Sequence, residues 1–513
     1  MSFYFYVLLD RKRRINHSNH PSINMLLRKI KKQLTKVTTC SIRNAIPRHH
    51  QQYYYHPFVT FKHCNNNNNN NKCKIKNEYQ TTFPIQFTTR DFSSTTSSSP
   101  PKLMEGMKVV ELASVLAGPT VCQFLAELGA SVVKVENTTT RGDVTRTWKL
   151  ANDKPDSTVT AYFSCCNLGK KSLAINLKDP RGLEIIHKMV EDADVVVASY
   201  KPGDAEKLKV DYKTLSTINP KLIYAQITGY GLDDDRAGYD AVIQAESGFQ
   251  FINGEPDPSP PTKMPVALMD LLAAHQIKEA LLVNLWRRER NGNQYGSFVN
   301  VSLLASGVSA LANQATGYLV AGANPNRIGS DHPSICPYGT IFKCKDGGLI
   351  TLAVGSDKQY QNLCKVLGQP ELGVDERFNT NPNRVKNREE CKSIMKELIE
   401  QFDRPYLLNE LRINAVPAGG VNEISDVFEQ PQAEELVVRN DHGNALGVKQ
   451  VAFNTVTYEE SNNNINYMNE DEQLLLPPPQ YGQHTTSVLM EDCQYTKEKI
   501  EELINDGVVE QLS

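Results

Sequence analysis

No run in this 513-residue chain reaches eighteen consecutive apolar residues, so no segment reads as a membrane-spanning helix and none points to a membrane partner. With 40% hydrophobic and 22% charged residues, the composition is that of a globular protein in water. Metal-type cysteine spacing is also lacking. The eleven cysteines contain no C-x-x-C pair, so neither a zinc site nor a disulfide framework is expected. Cys165 and Cys166 are adjacent, form no easy bridge, and are expected to be reduced core residues. There is no G-x-S-x-G turn and no H-E-x-x-H helix, which removes the serine-hydrolase and zinc-peptidase motifs. Gly169-Lys170-Lys171-Ser172 looks like the tail of a phosphate loop, but position 164 is Ser, so it is not one.

Acid is scarce at one end. Residues 1–77 hold fifteen Lys/Arg and a single carboxylate, Asp10, whereas the remaining 41 basic and 57 acidic residues leave 78–513 at −16. An acidic body excludes nucleic acid as the expected partner. The leader is hydroxylated and basic, with an amphipathic stretch at Met25–Leu34, and its positive charges follow the apolar residues Tyr4–Leu9. Those are features of an organelle transit peptide, and a mitochondrial (matrix) address is expected. Asn65–Asn71 and Thr88–Pro101 are low-complexity, so residues 1–104 are set apart from the fold.

From residue 105 onward strand and helix signals alternate. Met107–Leu112, Ser131–Val135, Val195–Ala198, Leu222–Ile227 and Ser297–Val301 read as strands, with helices at Thr120–Leu128 and Arg181–Glu191 between them. The alternation predicts an α/β fold with a parallel sheet. The first loop, Ala113–Pro119, has one glycine where the dinucleotide fingerprint needs three, so a bound dinucleotide is not expected. Such a loop still offers backbone N–H groups to a phosphate or another polar ligand. Past residue 325 the composition shifts. Ile341–Cys344 and Leu349–Val354 flank a hairpin turn, helices follow at Lys358–Leu367 and Arg388–Gln401, and Val416–Val421 reads as a return linker. The Asn-rich Ser461–Glu472 reads as an insertion, and Thr496–Ile504 as a closing helix.

One stretch organises the rest. Met264-Pro265-Val266-Ala267-Leu268-Met269 ends in a single carboxylate, Asp270, followed by a helical pattern to Arg290 with Leu271, Leu272, Leu281, Leu282, Leu285 and Trp286 on its apolar surface. Asp is a preferred helix N-cap, which is the plain explanation of Asp270. The alternative is a carboxylate in apolar walls that attacks an electrophile. Asp240 heads a second helical pattern, Ala241–Ala245, and admits the same plain explanation.

Leu112–Pro119, Lys134-Val135-Glu136, Gly142–Arg146, Lys178–Gly182, Gly238-Tyr239-Asp240, Ala267–Asp270 and Gly482–Thr485 occur in an order and spacing that resembles the class III CoA-transferases. The resemblance covers residues 105–513, about four-fifths of the chain, and is nearest to the mitochondrial branch acting on succinyl-CoA with glutarate or hydroxymethylglutarate. It implies a large Rossmann-like domain from both chain ends (105–325 and 411–513), a small middle α/β domain (326–410), and an interlocked homodimer. Asp270 takes the place of the nucleophile, forming a covalent aspartyl intermediate. CoA or acyl-CoA is the substrate, with small dicarboxylic acids, and no permanently bound cofactor or metal is implied.

The same resemblance carries CoA contacts onto Leu116, Ala117, Ile175, Asn176, Leu177, Lys178, Ser199, Tyr200, Lys201, Lys207, Ala237, Gly238, Tyr239 and Asp240. Asn137, Ser199 and Lys207 depart from the residues more usual there. Gly329, Ser330, Asp331 and His332 fall on a loop that covers the nucleophile in relatives. Since a distal carboxylate needs a cation, Arg146 or Arg327 is expected to clamp it. Two other readings remain: an acyl-CoA racemase, disfavoured because Tyr239 stands where that chemistry uses a histidine, and a non-catalytic acyl-CoA binder.

Overall fold

The computed structural model describes residues 102–292, 294–459, 464–467 and 475–512, so the basic leader lies outside the described residues, as do 460–463 and 468–474 of the Asn-rich segment. Walking from the start, strand β1 (Lys108–Leu112) leads into helix α1 (Ala117–Glu127), then β2 (Ser131–Asn137), a short helix α2 (Ala161–Ser164) and β3 (Lys170–Ile175). Helix α3 (Pro180–Val190), β4 (Val195–Ala198), β5 (Ile223–Thr228), α4 (Asp240–Glu246), α5 (Leu268–Arg290) and β6 (Ser297–Ser302) follow. Two helices, α6 (Leu303–Ala310) and α7 (Ala312–Ala321), come next, divided where Ala312 breaks the run with φ +46°.

Strands β1 to β6 are all parallel and lie in the order 3-2-1-4-5-6, the Rossmann arrangement. The β3 that sequence patterning missed begins at the false phosphate loop. Its Lys170 and Ser172 are buried polar residues that mask the apolar run. A two-residue strand near the C-terminus, Val509–Glu510, pairs antiparallel with β3 and closes that edge of the sheet. Gly482–Thr485 laces the same edge: His484 accepts the Ser172 N–H at 3.1 Å, and Thr485 Oγ1 accepts the Ala174 N–H at 3.1 Å.

Helix α1 is buried from Ala117 to Ala126 because the sheet lies on one side and α5 crosses the other. Helix α5 buries Met269, Ala273, Ile277 and Leu281, an i, i+4 series that puts one stripe against α1 and the sheet. This corrects the apolar surface read from the sequence. Of those six residues only Leu281 is buried, while Leu282 and Trp286 are exposed on this chain.

The middle of the chain builds a second core. β7 (Tyr338–Lys343), β8 (Leu349–Ala353) and β9 (Ala418–Gly420) form an antiparallel sheet in that order. Helices α8 (Asp357–Val366), α9 (Arg388–Ile399) and α10 (Arg404–Ile413) cover it, with Phe342, Ile350, Leu352, Leu363, Met395 and Leu411 inside. The stretch taken as a return linker is therefore partly strand, and this sheet runs past residue 410. Its Ala-Gly-Gly sequence has too little side chain to register as a strand. Among the described residues no helix is long and apolar enough to cross a membrane, and no cluster of His, Cys, Asp and Glu has the makings of a metal site.

Candidate active site

The crevice that a Rossmann order opens lies beyond the C-terminal ends of the strands where the order reverses, here between β1 and β4. A cavity of about 430 Å³ sits there, lined by Ala113 and Ser114 after β1, Asn137 at the end of β2 and Gly142–Val144 after it, Asn176–Lys178 after β3, and Ser199 and Tyr200 after β4. Its floor carries buried charge. Lys134, in register opposite Glu111, reaches Glu111 at 2.8 Å and Asp143 at 2.9 Å. Burial pushes the Glu111 carboxyl up, but the Lys134 and Lys170 ammonium groups outweigh it and hold it below its ordinary range. Asp143 in turn accepts the N–H of Val115 at 3.1 Å, holding that residue at φ +72° where the loop turns into α1.

Five of the positions that resemblance assigned to CoA line this cavity: Asn176, Leu177, Lys178, Ser199 and Tyr200. Leu116, Ala117 and Ile175 are buried and do not line it. Lys201 is exposed outside it, and Lys207 is an exposed residue paired to Asp204 at 2.8 Å. Ala237 to Asp240 lie away from the cavity lining. Gly238 crosses Gly229 so closely that a Cβ on Gly238 would meet Gly229 Cα at 2.1 Å. This contact fixes where Tyr239 and Asp240 emerge.

Asp270 is neither the cap of its helix nor satisfied by it. Ala267 occupies the cap position, and Asp270 is the third helical residue. The free N–H of Met269 is taken instead by Asp240, whose Oδ1 accepts it at 2.8 Å. So Asp240 does not cap its own helix, where Tyr239 is the N-cap, but caps α5 across the gap. Among the described residues nothing hydrogen-bonds the Asp270 carboxylate. Burial, and secondarily the Asp240 charge beside it, push its pKa up to about 7. A place in the first turn of a helix favours the anion by only about 0.3–1 kcal/mol, too little to offset that rise.

Tyr162 completes this neighbourhood. Its phenol is pushed up by burial first, then by the charges of Cys165, Asp270, Cys166 and Asp240, and its ring packs edge-on against Trp148 at 4.9 Å. Nothing in the sequence marks Tyr162, which comes from the short helix α2. Cys166 is buried as expected. Cys165 is exposed, which corrects its reading as a core residue.

Both arginines expected to clamp a carboxylate are already occupied. Arg146 is buried, with Nε and Nη2 on Glu136 at 2.8 and 2.6 Å and Nη1 on the carbonyls of Thr158 and Pro479. Arg327 pairs with Asp257 and donates to the carbonyls of Phe251, Glu255 and Ser259. Neither guanidinium is free for a substrate. The Gly329–His332 loop is anchored as well. Gly329 N–H reaches Gly254 O at 3.1 Å, Asp331 pairs with Lys392 at 2.8 Å, and Arg388 donates to His332 O at 2.8 Å. None of these contacts reaches Asp270.

The sequence profile of CoA-transferase family III matches residues 104–485. The succinate–glutarate CoA-transferase of Agrobacterium fabrum is 39% identical over 66% of this chain and 84% of its own. The human succinyl-CoA:glutarate CoA-transferase is 37% identical over 80% of this chain and 90% of its own. A crystal structure of a CAIB/BAIF family protein from Brucella suis superposes with a TM-score of 0.64 and 36% identity, covering 77% of this chain and all of that one.

The raised Asp270 acid has a measurable cost. The unfolded carboxyl ionises near its ordinary value of 3.8 and the folded one near 7, so stability falls as pH rises between them. Asp270→Asn removes that loss. The variant should be more stable than the parent at pH 8, by at most roughly 4 kcal/mol, and the gap should close towards pH 4. Denaturant melts at the two pH values measure it, and a variant no more stable at pH 8 than at pH 4, relative to the parent, would contradict the assignment.

Proposed function

This chain belongs to CoA-transferase family III and is a CoA-transferase, and from that premise we propose that it moves CoA from succinyl-CoA to a small dicarboxylate, glutarate or hydroxymethylglutarate, through Asp270. One observation carries the reading: a partly buried carboxylate, unpaired among the described residues, held at a helix start beside a second carboxylate. The printed activities of the Agrobacterium and human relatives support the donor and the acceptor class.

In the proposed course the ionised Asp270 attacks the thioester carbonyl carbon. The C–S bond breaks, CoA leaves as thiolate, and a mixed anhydride joins the succinyl group to Asp270. The thiolate then attacks the Asp270 acyl carbon, releasing succinate and leaving an aspartyl-CoA thioester. The acceptor carboxylate displaces the thiolate to give a second anhydride. Final attack of the thiolate on the acceptor acyl carbon yields the new CoA thioester and regenerates Asp270. Every intermediate is destroyed by water, so the same partial burial that raises the acid also protects the anhydride.

The nucleophile is trapped directly. Incubation with succinyl-CoA and then hydroxylamine should convert Asp270 to a hydroxamate visible by peptide mass, and Asp270→Ala should lose CoA exchange while still binding CoA. Modification elsewhere, or substantial turnover by that variant, refutes the role. Exchange of an α-proton in a 2-methylacyl-CoA without an acceptor acid would establish the racemase instead, and CoA binding with no adduct would mark a binder.

We propose a homodimer on the exposed apolar residues Val283 (62%) and Trp286 (61%) of α5 and Leu319 (78%) and Val320 (80%) of α7, which a second copy would cover. Light scattering should give the mass of two chains, and a concentration-independent single-chain mass would refute it. The basic leader supports a mitochondrial address. Residues 1–104 fused to a fluorescent protein should carry it into mitochondria, and diffuse cytosolic signal would show that they are no transit peptide.

A further inference from the structure

The buried side chain that ties the Asp270 region together is one with no charge. Gln244 is 0% exposed and sits on α4, four residues after Asp240. Its Nε2 donates to Asp240 Oδ2 at 2.7 Å and lies 3.3 Å from the carbonyls of Met264 and Val266. Its Oε1 accepts the N–H of Met264 at 2.8 Å. One carboxamide therefore binds the carboxylate that caps α5 together with an N–H and two carbonyls of the bent segment that delivers the chain into α5. A carboxamide is the side chain that can do this, since it offers donors and acceptors from one planar group. Leucine would leave Met264 N–H and two carbonyls without this partner, and a glutamate would set a second anion against Asp240.

We propose that Gln244 is a positioning residue for the nucleophile: through Asp240 and the Met264–Val266 segment it fixes the first turn of α5, and with it the place and electrostatic surroundings of Asp270. The inference rests on Asp270 being the nucleophile. The path is short. Gln244 orients Asp240, Asp240 takes Met269 N–H, and Met269 is the residue before Asp270. Met269 is itself locked. It is fully buried, with its sulfur 3.7 Å from Ser247 Oγ and so close to Gly307 that a Cβ there would approach it to 2.8 Å. The peptide before the nucleophile thus has one allowed position so long as Asp240 stays where Gln244 puts it.

Among the described residues, the titratable groups that share this region are Asp240 on α4, which acts on Asp270, Tyr162 on α2, on which Asp270 acts, and Cys165 and Cys166 just after α2, which act on Tyr162. If Gln244 is lost, Asp240 is freed to swing towards solvent and its charge leaves Asp270. The acid limb of the rate profile then moves to lower pH, because the ionised nucleophile is no longer opposed by a neighbour. A purely structural role would lower stability and rate without moving that limb. Gln244 is also absent from the lining of the β1/β4 cavity, so CoA affinity should be unaffected.

The experiment compares Gln244→Met, which removes both polar functions, with Gln244→Asn, which keeps an amide in the core but is one methylene too short to hold Asp240. Each is assayed for CoA binding by calorimetry, for kcat and KM with succinyl-CoA, and for kcat against pH, beside hydroxylamine trapping of the parent protein. The expected result is parental CoA affinity and KM within about twofold, kcat lowered by about tenfold or more, and the acid limb shifted down by about half a pH unit. Parental kcat in either variant, or a lowered kcat with an unmoved limb, overturns the role of Gln244 while an Asp270 adduct in the parent leaves the nucleophile standing. Loss of CoA binding along with turnover marks a structural residue and also overturns it. If the parent gives no Asp270 adduct, the nucleophile fails and the inference with it.

Discussion

A single ammonium group inside the sheet sets the geometry of everything above it. Lys134 is 1% exposed, and an isolated charge there would cost several kcal/mol. It is tolerable because Glu111 stands opposite it in register and Asp143 closes over it. That requirement reaches outward. Asp143 comes from the turn after β2, and once held by Lys134 its carboxylate takes the N–H of Val115 at the entry to α1. The Rossmann order supplies a crevice in any protein that adopts it, but here the loops on both sides are fixed by one buried cation. Removing the lysine would leave two carboxylates buried with less compensation. Lys170 remains on Glu111 at 2.7 Å, whereas among the described residues no other cation pairs with Asp143, which keeps only hydrogen bonds from Thr145 and Val115.

The neighbouring pair Glu136 and Arg146 extends the same logic to the chain's other end. Arg146 spans from Glu136 to the carbonyl of Pro479, and Ser172, which donates to Glu136 at 2.6 Å, also accepts the N–H of Gly482. The C-terminal segment is thus joined to β2 and β3 through buried polar contacts as well as through the Val509–Glu510 strand. This explains why Arg146 is unsuited to a substrate. A guanidinium with four of its donors spent on the fold cannot turn to an incoming carboxylate without abandoning a buried partner.

Much of the fold was legible because parallel strands buried on both faces read as apolar runs, and β1, β2, β4 and β5 do so. β3 did not, since its lysines and serine interrupt the run to serve the charge network and the C-terminal lacing. At the site, Asp270 stood out in the sequence as an abrupt carboxylate after an apolar stretch, whereas the loop residues after β3 and β4 came only from the family resemblance. The arginines were misjudged for a general reason: nearness to a motif in sequence says nothing about which acceptors a long cationic side chain finds in the fold. Tyr162 had no signal. Gln244 had one, an i, i+4 pairing with Asp240 on a helix that is otherwise apolar at that point.

The two carboxylates at the start of α5 also bear on the energetics of the proposed exchange. A thioester and a carboxylate trade partners readily only when the carboxylate's affinity for an acyl group is not far below that of the thiolate it displaces. An ordinary aspartate near 3.8 is much less basic than a thiol near 8.5, so forming the anhydride and free thiolate is strongly uphill. Partial burial and the Asp240 charge bring Asp270 to about 7 and close most of that gap. Part of the gain in proton affinity carries over to the acyl group, because both bonds relieve the same desolvated, repelled anion. Asp270 is then a better nucleophile and a less eager leaving group. The position that destabilises the folded protein at neutral pH is the one that levels the steps of the transfer.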